Sequence, residues 1–325
     1  MRKPKVYIAI KIPKEVEDYI GKYCEYEKWE SDENITRDEL KIKLSDKDGV
    51  LLMGIKIDED LLKQAPKLKV VSNFTAGYNN FDIEIMKKRN VLGTHVPNVM
   101  NNSVADLIFG LILSVSRKIP QLDNYVKRNE WKNLFDKKFY GVDVHHSTLG
   151  IIGMGRIGEV VAKRGKLGFD MDVLYYNRNR REDLEKKLGV KYADFQQLLK
   201  KSDFIVLLTP LTKETYHLID FQEFSLMKST VVFINASRGE TVNEAALIEA
   251  LRNNKIFGAG LDVYETEPID EANPLLKMSN VVTLPHIGTA TDKTHFDMAM
   301  VAAENLVKAV LGKNVKNIVT ELKDS

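Results

Sequence analysis

The sequence predicts an α/β protein built as two doubly wound parallel-sheet domains. Three observations carry this reading. Short apolar runs alternate with amphipathic helical stretches from one end to the other, the rhythm of parallel strands covered by helices on both faces. The alternation comes in two blocks, separated by a long apolar helical stretch at about 103–117. A length of 325 residues also exceeds what one compact core usually uses.

In the first block the strand candidates are "VYIAI" (6–10), "GVLLM" (49–53), "VVSNF" (70–74) and "NVLG" (90–93). Between them, "DEDLLKQAP" and "FDIEIMKKRN" carry the mixed charge and spaced apolar residues of surface helices. The second block runs through "TLGII" (148–152), "DVLYY" (172–176), "FIVLL" (204–208), "VVFIN" (231–235), "GAGLDV" (258–263) and "VVTLP" (281–285). The last long helical stretch, 292–312, reads as a return to the first domain. The boundaries predicted are therefore 1–102 with 290–325 for one domain and 103–289 for an inserted second. Two connections between two such lobes predict a hinged cleft that suits a small ligand.

Composition narrows the function. Hydrophobic residues at 44%, charged residues at 29% and a net charge of +2 give no general attraction to nucleic acid or anionic lipid. The run "LIFGLILSV" (107–115) falls far short of the roughly 20 apolar residues that span a bilayer. The opening "MRKPKVYIAIKIP" has only five consecutive apolar residues before Lys11, too few for a signal-peptide core. A soluble, cytoplasmic protein with no nucleic-acid or membrane partner is expected. The single cysteine, Cys24, cannot form an internal disulfide, which suits a reducing compartment.

Gly153, Gly155 and Gly158 form G-x-G-x-x-G directly after a buried strand and directly before "RIGEVVAKRGKLG". In that context the first glycine permits a tight turn and the second lets backbone approach a pyrophosphate. The third allows close helix–strand packing, and the helix start at Arg156–Ile157 offers amides and a positive dipole to the anion. The next strand should end at the adenosine ribose, where an NAD site usually has Asp or Glu. Here it ends in Asn177, followed by Arg178, Asn179, Arg180 and Arg181. A carboxylate would repel a 2′-phosphate, whereas guanidinium groups bind it with paired donors. The cofactor favoured is NADP, with NAD the alternative.

Three later segments bring polar residues just past a buried strand, where α/β sheets build their sites. "FINASRGE" supplies Arg238, "GLDVYETEP" supplies Asp262, Glu265 and Glu267, and "VVTLPHIGTAT" supplies His286. An arginine, an acid and a histidine beside a nicotinamide suit a keto-acid reductase. The arginine would hold a carboxylate and polarise a carbonyl, the histidine would donate a proton, and the acid would keep it protonated. The other histidines, His95, His145, His146, His217 and His295, lack metal-ligand spacing, and the side chains of His145 and His146 should diverge on an extended backbone. No metal is expected.

In order along nearly the whole chain stand "LGIIGMGRIG", "SDFIVLLTPLTKET", "FINASRGETVNEAALIEAL", "GAGLDVYETEP" and "LPHIG". This series resembles the D-isomer-specific 2-hydroxyacid dehydrogenases, and within them the glyoxylate/hydroxypyruvate and 2-ketogluconate reductases. The resemblance implies a flavodoxin-like substrate domain and a Rossmann cofactor domain. It implies that Arg238 binds substrate, that Glu267 rather than Glu265 is the acid paired with the histidine, and that His286 is the proton donor. It implies that Asp262 contacts the nicotinamide carboxamide and that Thr209, Pro210, Ala236, His286 and Gly288 line the cofactor site. "FTAGYNNFD" is similar to the family's substrate loop, with the Ala76 and Gly77 amides on the substrate carboxylate. A homodimer through the helical edge of the cofactor domain is implied as well.

Asp106 stands where many members have Glu, so it receives no role. Rival activities on this scaffold are D-lactate, phosphoglycerate, formate and phosphite dehydrogenases. Formate dehydrogenases carry Gln as the histidine's partner, against Glu267 here. Phosphoglycerate dehydrogenases often append regulatory domains, which a chain ending at 325 does not show. A cofactor-sensing corepressor is the rival from outside enzymology. The expectation is NADPH-dependent reduction of glyoxylate and hydroxypyruvate, with 2-ketogluconate as a larger substrate.

Overall fold

The computed structural model describes residues 2–323. Two compact units result: one runs to Met100 and resumes at Ala290, the other is Asn101–Thr289. Both are α/β with a wholly parallel sheet, as the strand–helix alternation predicts.

The first unit holds β1 (Lys5–Ile8), β2 (Glu25–Lys28), β3 (Gly49–Leu52), β4 (Val70–Asn73) and β5 (Leu92–Thr94) in the order β2-β1-β3-β4-β5. This is the flavodoxin-like order. β3 and β4 are buried at every position, which is why they read as unbroken apolar runs rather than alternating ones. The helices Arg37–Lys43, Glu59–Gln64 and Ile83–Lys88 are capped by Thr36, Asp58 and Asp82. Each cap satisfies an amide the helix cannot and contributes about 1 kcal/mol. Helix Asp292–Val310 packs against β3, and a Cβ on Gly49 would stand 2.8 Å from Leu306 and Val310 side-chain carbons. Only a glycine lets the helix lie that close.

The second unit holds β6 (Thr148–Ile152), β7 (Asp172–Tyr176), β8 (Lys191–Tyr192), β9 (Phe204–Leu207), β10 (Val232–Asn235), β11 (Gly258–Leu261) and β12 (Val281–Thr283). Their order is β12-β11-β10-β9-β6-β7-β8. Counted from β6 this is the doubly wound dinucleotide-binding order, extended by a seventh strand. Helix Asn101–Ser116 packs on the β10–β11 side of the sheet, and a Cβ on Gly260 would stand 3.0 Å from the Leu111 Cβ. The core between sheet and helices is built from Leu198, Ile205, Leu207, Phe224, Phe233 and Leu247, all nearly or fully buried. The strand order reverses between β6 and β9, where such sheets bind ligands at their C-terminal edge.

Two strands escape the sequence pattern. β2, "EYEK", lies at a sheet edge with three of its four side chains exposed, and β8 is a two-residue exposed edge. Neither buries a face, so neither needs an apolar run. The expected divergence of His145 and His146 is also corrected. His146 adopts φ 57°, not an extended conformation, and the two rings meet edge to face at 5.1 Å.

Candidate active site

The glycine-rich turn leaves β6 through Gly153 at φ 103°, a backbone region closed to most side chains. A Cβ on Gly158 would stand 2.7 Å from the Gly153 carbonyl oxygen, so the third glycine permits the helix to start against the turn. Gly155, the N-cap of helix Arg156–Phe169, differs: a Cβ there would meet nothing within 4 Å. Among the described residues no side chain caps that helix start, so the first amides, at Arg156, Ile157 and Gly158, are left uncapped. Past β9, the Thr209 hydroxyl is buried without a hydrogen-bond partner among the described residues. Open space, uncapped amides and an orphaned hydroxyl are what a dinucleotide would fill and satisfy.

Beyond β7, Asn177 Nδ2 donates to the Asn179 carbonyl at 2.9 Å. Arg180 is bidentate on Glu185, and Arg181 is bidentate on Asp183 while also donating to the Met154 carbonyl inside the glycine turn. Arg178 is exposed and has no hydrogen-bonded or ion-paired partner among the described residues. Glu185 and Asp183 are thus taken by its neighbours.

Past β10, β11 and β12 stand the chemistry-bearing side chains. A Cβ on Gly239 would stand 1.8 Å from the Tyr264 carbonyl carbon. The loop carrying Arg238 and the turn carrying Glu267 therefore touch backbone to backbone. Arg238 Nη1 donates to the Ser237 carbonyl at 2.6 Å, while Nε and Nη2 have no acceptor among the described residues. Glu267 accepts from the Tyr264 N–H at 3.1 Å through Oε1 and from His286 Nδ1 at 2.7 Å through Oε2. A carboxylate accepts, so Nδ1 carries the proton and the imidazole presents Nε2 to a ligand.

The hydrogen bond to Glu267 is the main force raising the His286 pKa above the ordinary imidazole value. Burial opposes it; the Glu267 charge adds to it. Burial pushes the Glu267 carboxyl up. Its bonds to His286 and Tyr264 N–H, with the His286 and Arg238 charges, outweigh burial and leave it below the ordinary range. Asp262 is only 2% exposed and accepts from the Ile287 and Gly288 N–H groups at 2.7 and 2.9 Å. Burial raises its pKa, with the two amides pulling the other way. Its visible work is to hold the backbone immediately after His286.

Glu265 is separated from this pair. It accepts from His217 Nε2 at 2.8 Å and from the Glu244 N–H at 3.1 Å. His217 and His286 both adopt left-handed backbone angles, φ 49° and 53°. Such angles cost about 1 kcal/mol or more for a residue with a Cβ, and each ring ends on a glutamate of the same short turn. Asp106 pairs with Arg164 at 2.7 Å on the surface. Among the described residues no group of three or more His, Cys, Asp or Glu is arranged to hold a metal, and no helix is long and apolar enough to cross a membrane.

In the first unit, the loop after β4 holds Ala76 and Gly77, both partly exposed. The Thr75 carbonyl accepts from Val96 N–H, and the Gly77 carbonyl from Asn73 Nδ2 and the Thr75 hydroxyl. The N–H groups of Ala76 and Gly77 meet no acceptor among the described residues. Tyr78 and Asn80 are spent elsewhere, the first on Glu321 and the second on the Ile55 carbonyl.

Residues 109–288 match the family described as D-isomer specific 2-hydroxyacid dehydrogenase, NAD binding domain. The chain is 41% identical over 317 residues, 98% of both chains, to glyoxylate/hydroxypyruvate reductase B of Serratia proteamaculans. The chain belongs to the D-isomer-specific 2-hydroxyacid dehydrogenases. A Dictyostelium discoideum protein named as a probable 2-ketogluconate reductase is 46% identical to this dehydrogenase over 83% of the chain and 81% of its own. Among solved structures, the NADPH-dependent glyoxylate/hydroxypyruvate reductase of Sinorhizobium meliloti, complexed with NADP and malonate, superposes with a TM-score of 0.87. It is 29% identical, and 98% of each chain is covered. The dehydrogenase is an oxidoreductase with a nicotinamide cofactor, as the motif series predicts.

Proposed function

We propose that this dehydrogenase reduces small 2-keto acids, glyoxylate, hydroxypyruvate and 2-ketogluconate, to D-2-hydroxy acids with NADPH. The observation that carries the reading is the His286–Glu267 hydrogen bond of 2.7 Å beside a guanidinium with two nitrogens unengaged. The names of the Serratia and Dictyostelium relatives support the substrates, and the Sinorhizobium reductase supports the cofactor.

Gly153, Gly155, Arg156, Ile157 and Gly158 would hold the pyrophosphate, and Asn177, Arg178 and Arg181 the adenosine end. Thr209, Pro210, Ala236, Asp262, His286 and Gly288 would line the nicotinamide end. The bound reduced nicotinamide supplies a hydride to the substrate carbonyl carbon. Arg238, with Nε and Nη2 unengaged, binds the substrate carboxylate and polarises its carbonyl. In the first unit, the Ala76 and Gly77 amides would be the donors for a substrate carboxylate. His286 gives its Nε2 proton to the carbonyl oxygen and is left neutral; it recovers the proton from water. Glu267 favours the imidazolium before transfer. On this reading 1–102 with 290–325 serves substrate and 103–289 serves cofactor.

NADPH and NADH oxidation over a panel of keto acids tests the proposal. Expected is kcat/KM higher with NADPH than NADH, and higher for hydroxypyruvate than pyruvate, whose methyl would leave polar groups unsatisfied. Arg178→Glu should lower kcat/KM for NADPH by about 10- to 100-fold, the worth of a charge-assisted hydrogen bond, and leave NADH nearly unchanged. A wild-type preference for NADH sinks the cofactor assignment; pyruvate matching hydroxypyruvate makes a D-lactate dehydrogenase the better reading.

A homodimer in the cytoplasm belongs to the same proposal. Trp131, Leu134, Phe135 and Tyr140 are 56–88% exposed along one segment of the cofactor unit, an apolar surface that suits another protein. The free Cys24 suits a reducing compartment. Sedimentation should return twice the 37.0 kDa of the chain; a monomer at micromolar concentration contradicts the dimer.

A further inference from the structure

Every carbonyl from Thr75 to Tyr78 is occupied from within the first unit, and the Ala76 carbonyl is occupied by a histidine. His95 Nδ1 lies 2.8 Å from that oxygen. A carbonyl only accepts, so Nδ1 carries the proton. The Ala76 C=O and the Gly77 N–H belong to one planar trans peptide and point in opposite directions. The histidine that grips the oxygen thereby aims the Gly77 N–H away from itself. On either side, Val96 N–H takes the Thr75 carbonyl at 3.0 Å, and Asn73 Nδ2 takes the Gly77 carbonyl at 2.6 Å. Phe81 N–H closes the run on the Tyr78 carbonyl at 3.0 Å.

The N–H groups of Thr75, Ala76, Gly77 and Tyr78 meet no acceptor among the described residues. Consecutive unengaged amides whose carbonyls are already taken are donors that a carboxylate can use. His95 itself is held firmly. It follows β5 directly, its N–H donates to the Asn317 carbonyl at 3.1 Å, and its own carbonyl accepts from Asn305 Nδ2 at 3.0 Å. The Tyr78 ring meets the imidazole edge to face at 5.3 Å.

We infer that His95 is a positioning residue for substrate binding: through the Ala76 carbonyl it fixes the peptide whose Gly77 N–H binds the carboxylate of the 2-keto acid. The inference rests on the proposed function and names a residue that the chemistry of proton transfer does not use. His95 touches no reacting atom, so its loss shows in affinity for the carboxylate and not in the chemical step.

His95→Leu removes the donor and His95→Asn keeps one, since Asn Nδ2 reaches the place of imidazole Nδ1. Expected for His95→Leu is a rise of about tenfold in KM for hydroxypyruvate, the scale of one lost hydrogen bond. The inhibition constant of oxamate, a carboxylate that is not reduced, should rise by the same factor. kcat should stay within about threefold and NADPH binding should be unchanged, which also certifies folding. His95→Asn should restore KM to within about twofold of wild type. Unchanged KM in His95→Leu overturns the inference, as does an equal loss in both variants, which marks a merely structural role. A wild-type enzyme inactive on every keto acid overturns the proposed function instead, so the two failures are distinguishable.

Discussion

His286→Asn should lower kcat for hydroxypyruvate reduction by about 10²- to 10⁴-fold, the usual worth of a positioned general acid. KM should move little, because the proposed function assigns substrate binding to groups other than the imidazole. Asn can still face Glu267 but has no proton to give at neutral pH. Near-normal turnover would remove His286 from the donor role. The pH profile carries the same argument. Reduction needs the imidazolium, so kcat/KM should be high at low pH and fall as pH rises through a His286 pKa lying above the ordinary imidazole value. Oxidation of the hydroxy acid should show the opposite limb. Glu267→Gln removes the largest upward influence on that pKa, so the descending limb should move to lower pH. A limb unmoved in Glu267→Gln would assign it to another group.

Arg238→Ala should lower kcat/KM by about 10²- to 10³-fold, with both KM and kcat affected, because in the proposed function one guanidinium serves the ground-state carboxylate and the developing oxyanion. Lys at the same position restores the charge without the paired donors and should recover only part of the loss. The check is the split between KM and kcat in a steady-state series. A KM effect alone would confine Arg238 to substrate binding. NADPH binding measured directly by fluorescence should remain near wild type, which separates this loss from damage to the cofactor site.

Most of the fold was legible because parallel strands covered on both faces must be apolar throughout, and "GVLL", "FIVL" and "VFIN" are. β2 and β8 were not, because edge strands with exposed side chains carry no such pattern. The site's residue types were legible for a related reason: Arg238, Glu267 and His286 all follow buried strands at the sheet's C-terminal edge. Their pairing was not. Choosing Glu267 over Glu265 needed the family resemblance, and the distances put Glu265 on His217 instead. The Asp262 bonds to Ile287 and Gly288 amides depend on backbone directions that spacing does not reveal. His95 has no metal-ligand spacing to mark it in the sequence. Its position one residue past β5 was the available signal, since a strand's C-terminal end is where such proteins place working side chains.

The strand order of the second unit separates two decisions that a reductase must make. Arg178 sits beyond β7, while Arg238, Glu267 and His286 sit beyond β10, β11 and β12, with β6 and β9 between the two groups. Arg178 is exposed and has no hydrogen-bonded or ion-paired partner among the described residues, so its replacement should cost the protein at most about 0.5 kcal/mol of stability. On the proposed cofactor assignment, the source of reducing power is exchangeable by mutation in one or two steps, while the proton chemistry stays intact. A lineage carrying this scaffold can follow whichever nicotinamide pool its metabolism keeps reduced without rebuilding its catalyst, and an engineer can do the same.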